Sequence, residues 1–204
     1  MLEYVVRQTA AYMESMPKQI RKKSGQFFTS IETARFMAGL FAIPAQPEIT
    51  ILDPGAGTGI LTAALLERIS AIPSVERVHL ICYETDEKII PVLEDNLRYV
   101  TAHCLKKADY ELRTLNYITS QKNAFNGGLF PESGVTCDLC IGNPPYMKIG
   151  KDAPEAKAML AIRYGAPNLY LLLAAMSLFN VRDHGELVFI IPRFSQPCLY
   201  FQRL

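Results

Sequence analysis

The segment Asn143-Pro144-Pro145-Tyr146 has residue types suited to holding a flat amino group. The side-chain carbonyl of Asn143 and the main-chain carbonyl of Pro144 can each accept a hydrogen bond. Two such acceptors would draw an amino nitrogen toward tetrahedral geometry and make it a better nucleophile. The prolines have a fixed φ and no N–H, so they hold these acceptors without adding a competing donor. Tyr146 can stack on a planar group that has swung out of a duplex, so we expect chemistry on a delocalised amine, with most of the rate from in-line positioning.

A glycine-rich loop, DPGAGTG (53–59), follows an apolar run and predicts a second functional segment. It lacks the GxGxxG spacing of a dinucleotide site, because Ile60 stands at the last glycine position, and it lacks the Gly-Lys-Ser/Thr of a P-loop. The glycines let a ligand approach the backbone closely, but the loop has no evident feature that would bind a pyrophosphate. Asp53 can accept bonds from a hydroxyl or a cation, and Glu84 is placed to hold both hydroxyls of a ribose. A positively charged nucleoside ligand without pyrophosphate fits S-adenosylmethionine.

Both segments fall within an alternation of helices and apolar strands. We predict helices at 2–14, 31–42, 60–69, 86–103 and 169–181, and strands at 49–52, 77–84, 110–115, 135–142 and 186–192. Thr29 or Ser30 is expected to cap the second helix, and Asn168 the last. The strands are too apolar to face water on either side, so we predict a mostly parallel α/β sheet with helices on both faces. Ligands of such sheets bind at the carboxyl ends of the strands, where both segments fall.

The composition excludes several function classes. Half of the 204 residues are hydrophobic and 20% are charged, which is typical of a globular protein. The net charge of +1 creates no bulk field for nucleic acid, although Lys148 and Lys151 could meet phosphates. Five cysteines without a signal peptide favour a reducing, cytoplasmic location. The apolar stretch 169–179 is too short to cross a bilayer, and the pair Cys137 and Cys140 lacks the further ligands of a metal site.

The order of the motifs resembles that of N6-adenine DNA methyltransferases of the gamma type, in which a cofactor motif precedes the glycine loop. In particular, the chain resembles the methylase part of type IIG restriction–modification enzymes. The matching stretches are GQFFTS (25–30), ILDPGAGTGILTAALLE (51–67), YETD (83–86), IGNPPYMKI (141–149), NLYLLLAAMSLF (168–179) and GELVFIIPR (185–193). The resemblance implies a Rossmann-like class I fold dependent on S-adenosylmethionine, double-stranded DNA as partner, and neither a metal nor a membrane.

The resemblance also implies a role for particular residues. The residues expected to contact the cofactor are Phe28, Thr29, Asp53, Pro54, Gly55, Ala56, Gly57, Gly59, Glu84, Thr85 and Asn116. Thr29 and its neighbours would contact the methionine end, the glycine loop would wrap the cofactor, and Glu84 would hold the ribose. Asn116 stands where the family usually has an Asp that reads the adenine amine, and its amide oxygen could still accept that bond. The target-base pocket would be formed by Asn143, Pro144, Pro145 and Tyr146.

The chain is shorter than the family pattern. The resemblance divides it into an N-terminal helical segment with the GQFFTS motif, 1–44, and an incomplete cofactor-binding core, 45–204. The family sheet has seven strands and five are predicted here, so we expect a fragment truncated before the target-recognition domain. DNA would then be contacted through parts largely absent from this chain. An open sheet edge would favour self-association.

Three interpretations of the chemistry remain open. The leading one is site-specific transfer of a methyl group from S-adenosylmethionine to N6 of adenine in DNA, within a restriction–modification system. NPPY also serves protein glutamine N5-methylation, since a side-chain amide poses the same electronic problem, but GQFFTS and the basic residues beside it argue against this. The third is a non-catalytic fragment that binds the cofactor or a partner subunit.

Overall fold

The computed structural model describes residues 1–16, 29–127, 134–162 and 165–191. The helices in these ranges are α1 Leu2–Ser15, α2 Ile31–Gly39, α3 Ile60–Ser70, α4 Ile90–Ala102, α5 Tyr117–Ser120, α6 Lys122–Asn126, α7 Pro154–Ala158 and α8 Leu169–Asn180. The strands are β1 Glu48–Asp53, β2 Arg77–Tyr83, β3 Lys107–Arg113, β4 Cys137–Gly142 and β5 Val181–Phe189.

The five strands form one parallel sheet in the order β3-β2-β1-β4-β5, which confirms the predicted parallel α/β architecture. The chain runs outward from β1 to β2 and β3 on one side, and then returns to β4 and β5 on the other. Asp53 at the end of β1 is paired with Cys82, and Leu52 with Cys140. The carboxyl ends of β1, β2 and β4 therefore meet at the topological switch point, where sheets of this kind bind ligands.

Alternate residues of the strands enter two apolar cores on opposite faces of the sheet. Ile51 and Leu80 pack in the first core with residues of α1 to α4. Leu52 and Cys140 pack in the second core with residues of α5 and α8. This alternation follows from the period of two along a strand, and it clamps the switch point between helices.

On the second face, the amino end of β2 and the polar residues of β3 are not covered in this way. Arg77 and His79 on β2 lie beside Asp109 on β3, and their side chains are 37 to 49% exposed. His79 bonds to Asp109, and Arg77 lies 4.0 Å from the same carboxylate. The prediction that no strand faces water is therefore wrong for β3. Its sequence KADYELR alternates charged and apolar residues, which is typical of a strand with one solvated face.

Several element boundaries differ from the prediction. Strand β3 begins at Lys107 and β5 at Val181, three and five residues earlier than expected. Helix α2 ends at Gly39, and α4 begins at Ile90 rather than at residue 86. The predicted start of α4 is a turn, in which the carboxylate of Asp86 accepts a bond from the N–H of Lys88.

The two expected helix caps have different outcomes. Ser30 caps α2, since its hydroxyl accepts a bond of 3.2 Å from the N–H of Thr33. Asn168 occupies the N-cap position of α8 but makes no side-chain cap bond. Helices α5, α6 and α7 were not predicted, because each has only four or five residues and no readable periodicity.

Some of the expected features fall outside the described residues. Phe28, most of GQFFTS and the basic residues 18–23 lie there. Within the described ranges, no helix is long and apolar enough to span a membrane. No group of three or more His, Cys, Asp or Glu side chains in the same ranges could hold a metal ion. The division of the chain at residues 44 and 45 stays a prediction.

Candidate active site

A cavity of about 320 Å³ opens at the carboxyl ends of β1, β2 and β4. Its volume is at the lower end of the range for small-molecule sites, roughly 300 to 1,000 Å³. Predicted site residues from five separate segments line it: Thr29, Pro54, Gly55, Ala56, Gly57, Glu84, Thr85, Asn116, Asn143, Pro144, Pro145 and Tyr146. Of the predicted residues that the structure describes, Asp53 and Gly59 lie outside this lining. The glycine loop and NPPY therefore share one cavity.

The glycine loop turns from β1 into α3 through backbone conformations that favour glycine. Gly57 and Gly59 have φ values of 55° and 86°, in the left-handed region, and Gly59 precedes the first residue of α3. The N–H of Ala56 donates a bond of 2.8 Å to the carbonyl of Tyr83. The loop is thereby fastened to the end of β2, beside the expected ribose site.

Glu84 holds this junction through both carboxylate oxygens. Its Oε2 accepts a bond of 2.9 Å from the N–H of Gly57. Its Oε1 accepts bonds from the N–H groups of Thr85 and Asp86, at 2.7 and 2.8 Å. Because a carboxylate oxygen has two lone pairs, Oε2 keeps capacity for a ligand hydroxyl. Glu84 therefore supports the loop as well as lining the cavity.

Asp53 lies beneath the loop and is 1% exposed. The hydroxyl of Thr62 donates a bond of 2.8 Å to its Oδ2, and the N–H of Gly55 approaches Oδ1 at 3.4 Å. Burial raises the pKa of Asp53 to about 7, although these bonds act in the opposite direction. Asp53 thus braces the turn from inside, and its predicted contact with the cofactor stays a prediction.

Asn116 is fixed by two partners. Its Oδ1 accepts a bond of 3.1 Å from the N–H of Thr119 and so caps α5. Its Nδ2 donates a bond of 2.7 Å to Oε1 of Glu155 on α7. Sequence reasoning missed Glu155, and no sequence signal marks it, since it lies 39 residues away.

The NPPY segment contacts the cofactor motif directly. Nδ2 of Asn143 donates a bond of 3.3 Å to the hydroxyl of Thr29, the residue before the cap of α2. The hydroxyl of Tyr146 lies 2.7 Å from Oδ1 of Asn143 and 3.1 Å from the carbonyl of Ile190. The Tyr146 side chain stands at the cavity mouth, with the residue 38% exposed. The orientation of the Asn143 amide is therefore fixed by bonds to both its nitrogen and its oxygen.

Two aromatic residues in the lining were also missed. Tyr83 and Tyr117 pack edge to face with ring centroids 4.9 Å apart, and both are buried. The hydroxyl of Tyr83 accepts bonds from Arg113 and Gln121, at 2.6 and 3.1 Å. The position of Tyr83 next to Glu84 in ICYETD was the available signal. These rings provide a rigid wall against which a flat ligand could pack.

Two curated proteins are similar to the chain over most of its length. It is 30% identical over 177 residues to the type II methyltransferase M.BsuBI of Bacillus subtilis, covering 85% of this chain and 34% of that protein. It is 30% identical over 183 residues to the type II methyltransferase M.PstI of Providencia stuartii, covering 88% and 35%. The chain is thus similar over most of its own length to two type II methyltransferases. It spans about a third of the length of these relatives, and no family model matches it.

Solved structures show the same fold. A putative class I S-adenosylmethionine-dependent methyltransferase from Listeria monocytogenes has a TM-score of 0.56 at 18% identity, covering 84% of this chain and 50% of that one. A modification subunit of a putative type I restriction enzyme from Vibrio vulnificus has a TM-score of 0.56 at 17% identity, covering 78% and 31%. The methyltransferase subunit of a type I restriction-modification system from Streptococcus thermophilus has a TM-score of 0.53 at 15% identity, covering 80% and 34%. The predicted class I methyltransferase fold is confirmed.

Proposed function

We propose that the chain is the cofactor-binding and target-base part of a site-specific DNA methyltransferase, which transfers a methyl group from S-adenosylmethionine to N6 of adenine in a restriction–modification system. The observation that carries the proposal is the single cavity lined by both the glycine loop with Glu84 and the NPPY segment. The similarity to M.BsuBI and M.PstI, both named type II methyltransferases, supports it independently.

The residues of the cavity suit S-adenosylmethionine, which supplies an electrophilic methyl group when bound. Oε2 of Glu84 has capacity for a ribose hydroxyl beside the N–H of Gly57. Tyr83 and Tyr117 offer an aromatic wall for the adenine, and Asn116, the residue before Tyr117, is also in the lining. Thr29 belongs to the cofactor motif, and its bond to Asn143 joins that motif to the target-base segment.

Asn143 and Pro144 would hold the amino group of the target base. The Asn143 carbonyl already accepts from Tyr146, but its second lone pair can accept from an amine at the same time. The carbonyl of Pro144 would accept the other amino hydrogen, and the ring of Tyr146 would stack on the extruded base. The amino nitrogen would gain the methyl group as the bond from that carbon to sulfur breaks, with S-adenosylhomocysteine as the leaving group. It would afterwards lose a proton to solvent, so no basic side chain is needed. Positioning then supplies most of the rate.

Double-stranded DNA is part of the proposal, as substrate. Lys148 and Lys151 are exposed just after NPPY and would contact phosphates near the extruded base. The chain covers about a third of its type II relatives, so we assign sequence reading to a region outside it. Self-association through the open edge of β5 stays a prediction.

Calorimetry with S-adenosylmethionine tests the cofactor half of the proposal. The wild-type chain and Asn143→Ala should both bind, whereas Glu84→Ala should lose binding, because it removes the ribose acceptor and releases the N–H of Gly57. Glu87→Ala is the matched control, since Glu87 is an exposed acid on the same segment, outside the cavity lining, and should bind normally. Absence of heat from the folded wild type would contradict the proposal.

Methyl transfer is tested with labelled cofactor and a single-stranded oligonucleotide, because an unpaired adenine needs no extrusion from a duplex. Label should enter adenine N6, and Asn143→Ala should abolish transfer while it retains cofactor binding. An oligonucleotide without adenine is the control. Label in a glutamine-containing peptide alone would support the glutamine alternative, and binding without transfer to either would support the non-catalytic one.

A further inference from the structure

The first helix, α1, contacts the glycine loop although it lies outside the alternation of strands and helices. The side chains of Thr9 on α1 and Thr58 in the loop are both buried, with exposures of 3% and 2%. Their hydroxyl oxygens are 2.7 Å apart. This is a direct bond between residues 49 positions apart, and Thr58 lines the cavity.

The direction of this bond follows from the other contact of Thr9. The Thr9 hydroxyl donates its hydrogen to the carbonyl of Val5, at 2.8 Å. A hydroxyl has one hydrogen and two lone pairs. Thr58 is therefore the donor and Thr9 the acceptor, and loss of the Thr9 oxygen would leave a buried hydroxyl of the loop without this acceptor.

Thr58 is also held from the other side of the loop. Nδ2 of Asn96 on α4 donates a bond of 2.8 Å to the Thr58 carbonyl, and Asn96 is 1% exposed. The preceding residue, Gly57, is held by Glu84 through its N–H. The loop is thus fixed by α4 and β2 through its backbone, and by α1 through the Thr58 side chain.

A second residue of α1 lies near the expected ribose site. Tyr12 is three residues after Thr9 and therefore on a neighbouring face of the helix. Burial, together with the carboxylates of Asp86 and Glu84, raises the pKa of Tyr12. The charges at the end of β2 therefore act on a side chain of α1.

We propose that α1 is a working part of the cofactor site, and that Thr9 is a positioning residue that holds Thr58 and the glycine loop in the shape that binds the nucleoside. The proposal rests on the proposed function for the identity of the ligand. It predicts that cofactor affinity depends on a hydroxyl that does not itself line the cavity.

Three variants separate this role from general stability. Thr9→Val keeps the shape of the side chain and removes the acceptor, and Thr9→Ser keeps the acceptor. Thr101→Val is the matched control, because the Thr101 hydroxyl likewise bonds to the carbonyl four residues earlier in its helix, at 2.8 Å, but its second contact, at 3.2 Å, is with Arg98 of the same helix and not with the loop. Calorimetry should show affinity for S-adenosylmethionine about tenfold weaker in Thr9→Val, equivalent to about 1.4 kcal/mol. Thr9→Ser and Thr101→Val should bind within about twofold of wild type.

Hydrogen exchange of the unliganded protein provides a readout that does not need the cofactor. Peptides covering residues 54–60 should exchange about tenfold faster in Thr9→Val and at the wild-type rate in Thr101→Val. If exchange of the loop is the same in all variants, the proposal is wrong, whatever the wild type binds. Failure of the wild type to bind, with faster exchange in Thr9→Val, would contradict the proposed function and leave the role of α1 in positioning the loop supported. Normal binding by Thr9→Val would overturn the link between α1 and the cofactor.

Discussion

Asp53 and Glu84 are both acids at strand ends, and yet their environments differ. The residue types and the strand pattern predicted that both would stand at the carboxyl edge of the sheet. The pattern could not predict orientation, because the direction of a side chain in a turn depends on bonds from other segments. Thr62 on α3 turns Asp53 inward, whereas the N–H groups of three residues hold Glu84 beside the cavity. Glu155 and Tyr117 escaped prediction for the same reason.

The burial of Asp53 predicts a dependence of stability on pH. Its pKa is about 7 in the folded protein and near 3.8 in the unfolded chain, so the folded state binds the proton more tightly between these values. The free energy of unfolding should therefore fall as pH rises from about 4 to 7. Asp53→Asn keeps an acceptor for Thr62 and removes the titration.

Urea unfolding at pH 5 and pH 7.5 measures the difference. Between these two pH values, the free energy of unfolding of the wild type should fall by roughly 2 to 3 kcal/mol more than that of Asp53→Asn, as the two pKa values imply. Equal losses in the two proteins would contradict the inward, buried position of this carboxyl.

At the scale of elements, the amino end of β5 shows a feature without a sequence signal. Cys137 pairs with Val181, but Leu139 pairs with Glu186, so residues 182–185 loop out of the ladder. Asp138 holds this region together, accepting bonds from Arg182 at 2.8 Å and from the backbone of β1 at 2.7 Å. The apolar run 186–192 predicted the strand correctly, but its irregular start depends on tertiary contacts.

Glycine is required at residue 185, because β5 approaches the backbone of β4 closely there. A Cβ at residue 185 would lie 2.6 Å from the carbonyl oxygen of Asp138, closer than packed atoms allow. We therefore expect Gly185→Ala to lower the free energy of unfolding by roughly 2 to 4 kcal/mol in urea titration. Gly150→Ala is the matched control, since no atom lies within 4 Å of its added Cβ, and its effect should be within about 0.5 kcal/mol. Equal stabilities of the two variants would show that β4 and β5 do not approach as described.

Helices were predictable to different degrees. Those of nine residues or more were found because their apolar residues repeat over several turns. Helix α5 has four residues and depends on its cap by Asn116 and on packing, because so short a helix is unstable alone. The solvated face of β3 had a sequence signal, because Tyr110 to Arg113 within the predicted strand already alternate apolar and charged residues, and this signal was overlooked.

At the scale of the whole molecule, the topology explains why motifs far apart in sequence meet. The glycine loop and NPPY follow β1 and β4, and these two strands are neighbours at the switch point of the sheet. The order of apolar runs predicted the sheet class, and the motif order predicted the shared cavity. The contact of α1 with the loop could not be predicted, because a threonine within a helix carries no signal of its partner.

A crystal structure of the chain with S-adenosylhomocysteine would test the shared cavity most directly. The account predicts that the ribose hydroxyls bind Glu84, that the adenine packs beside Tyr83 and Tyr117, and that the sulfur faces Asn143 across the cavity. A ligand bound at another surface, or one in the cavity with its sulfur directed away from Asn143, would contradict the account.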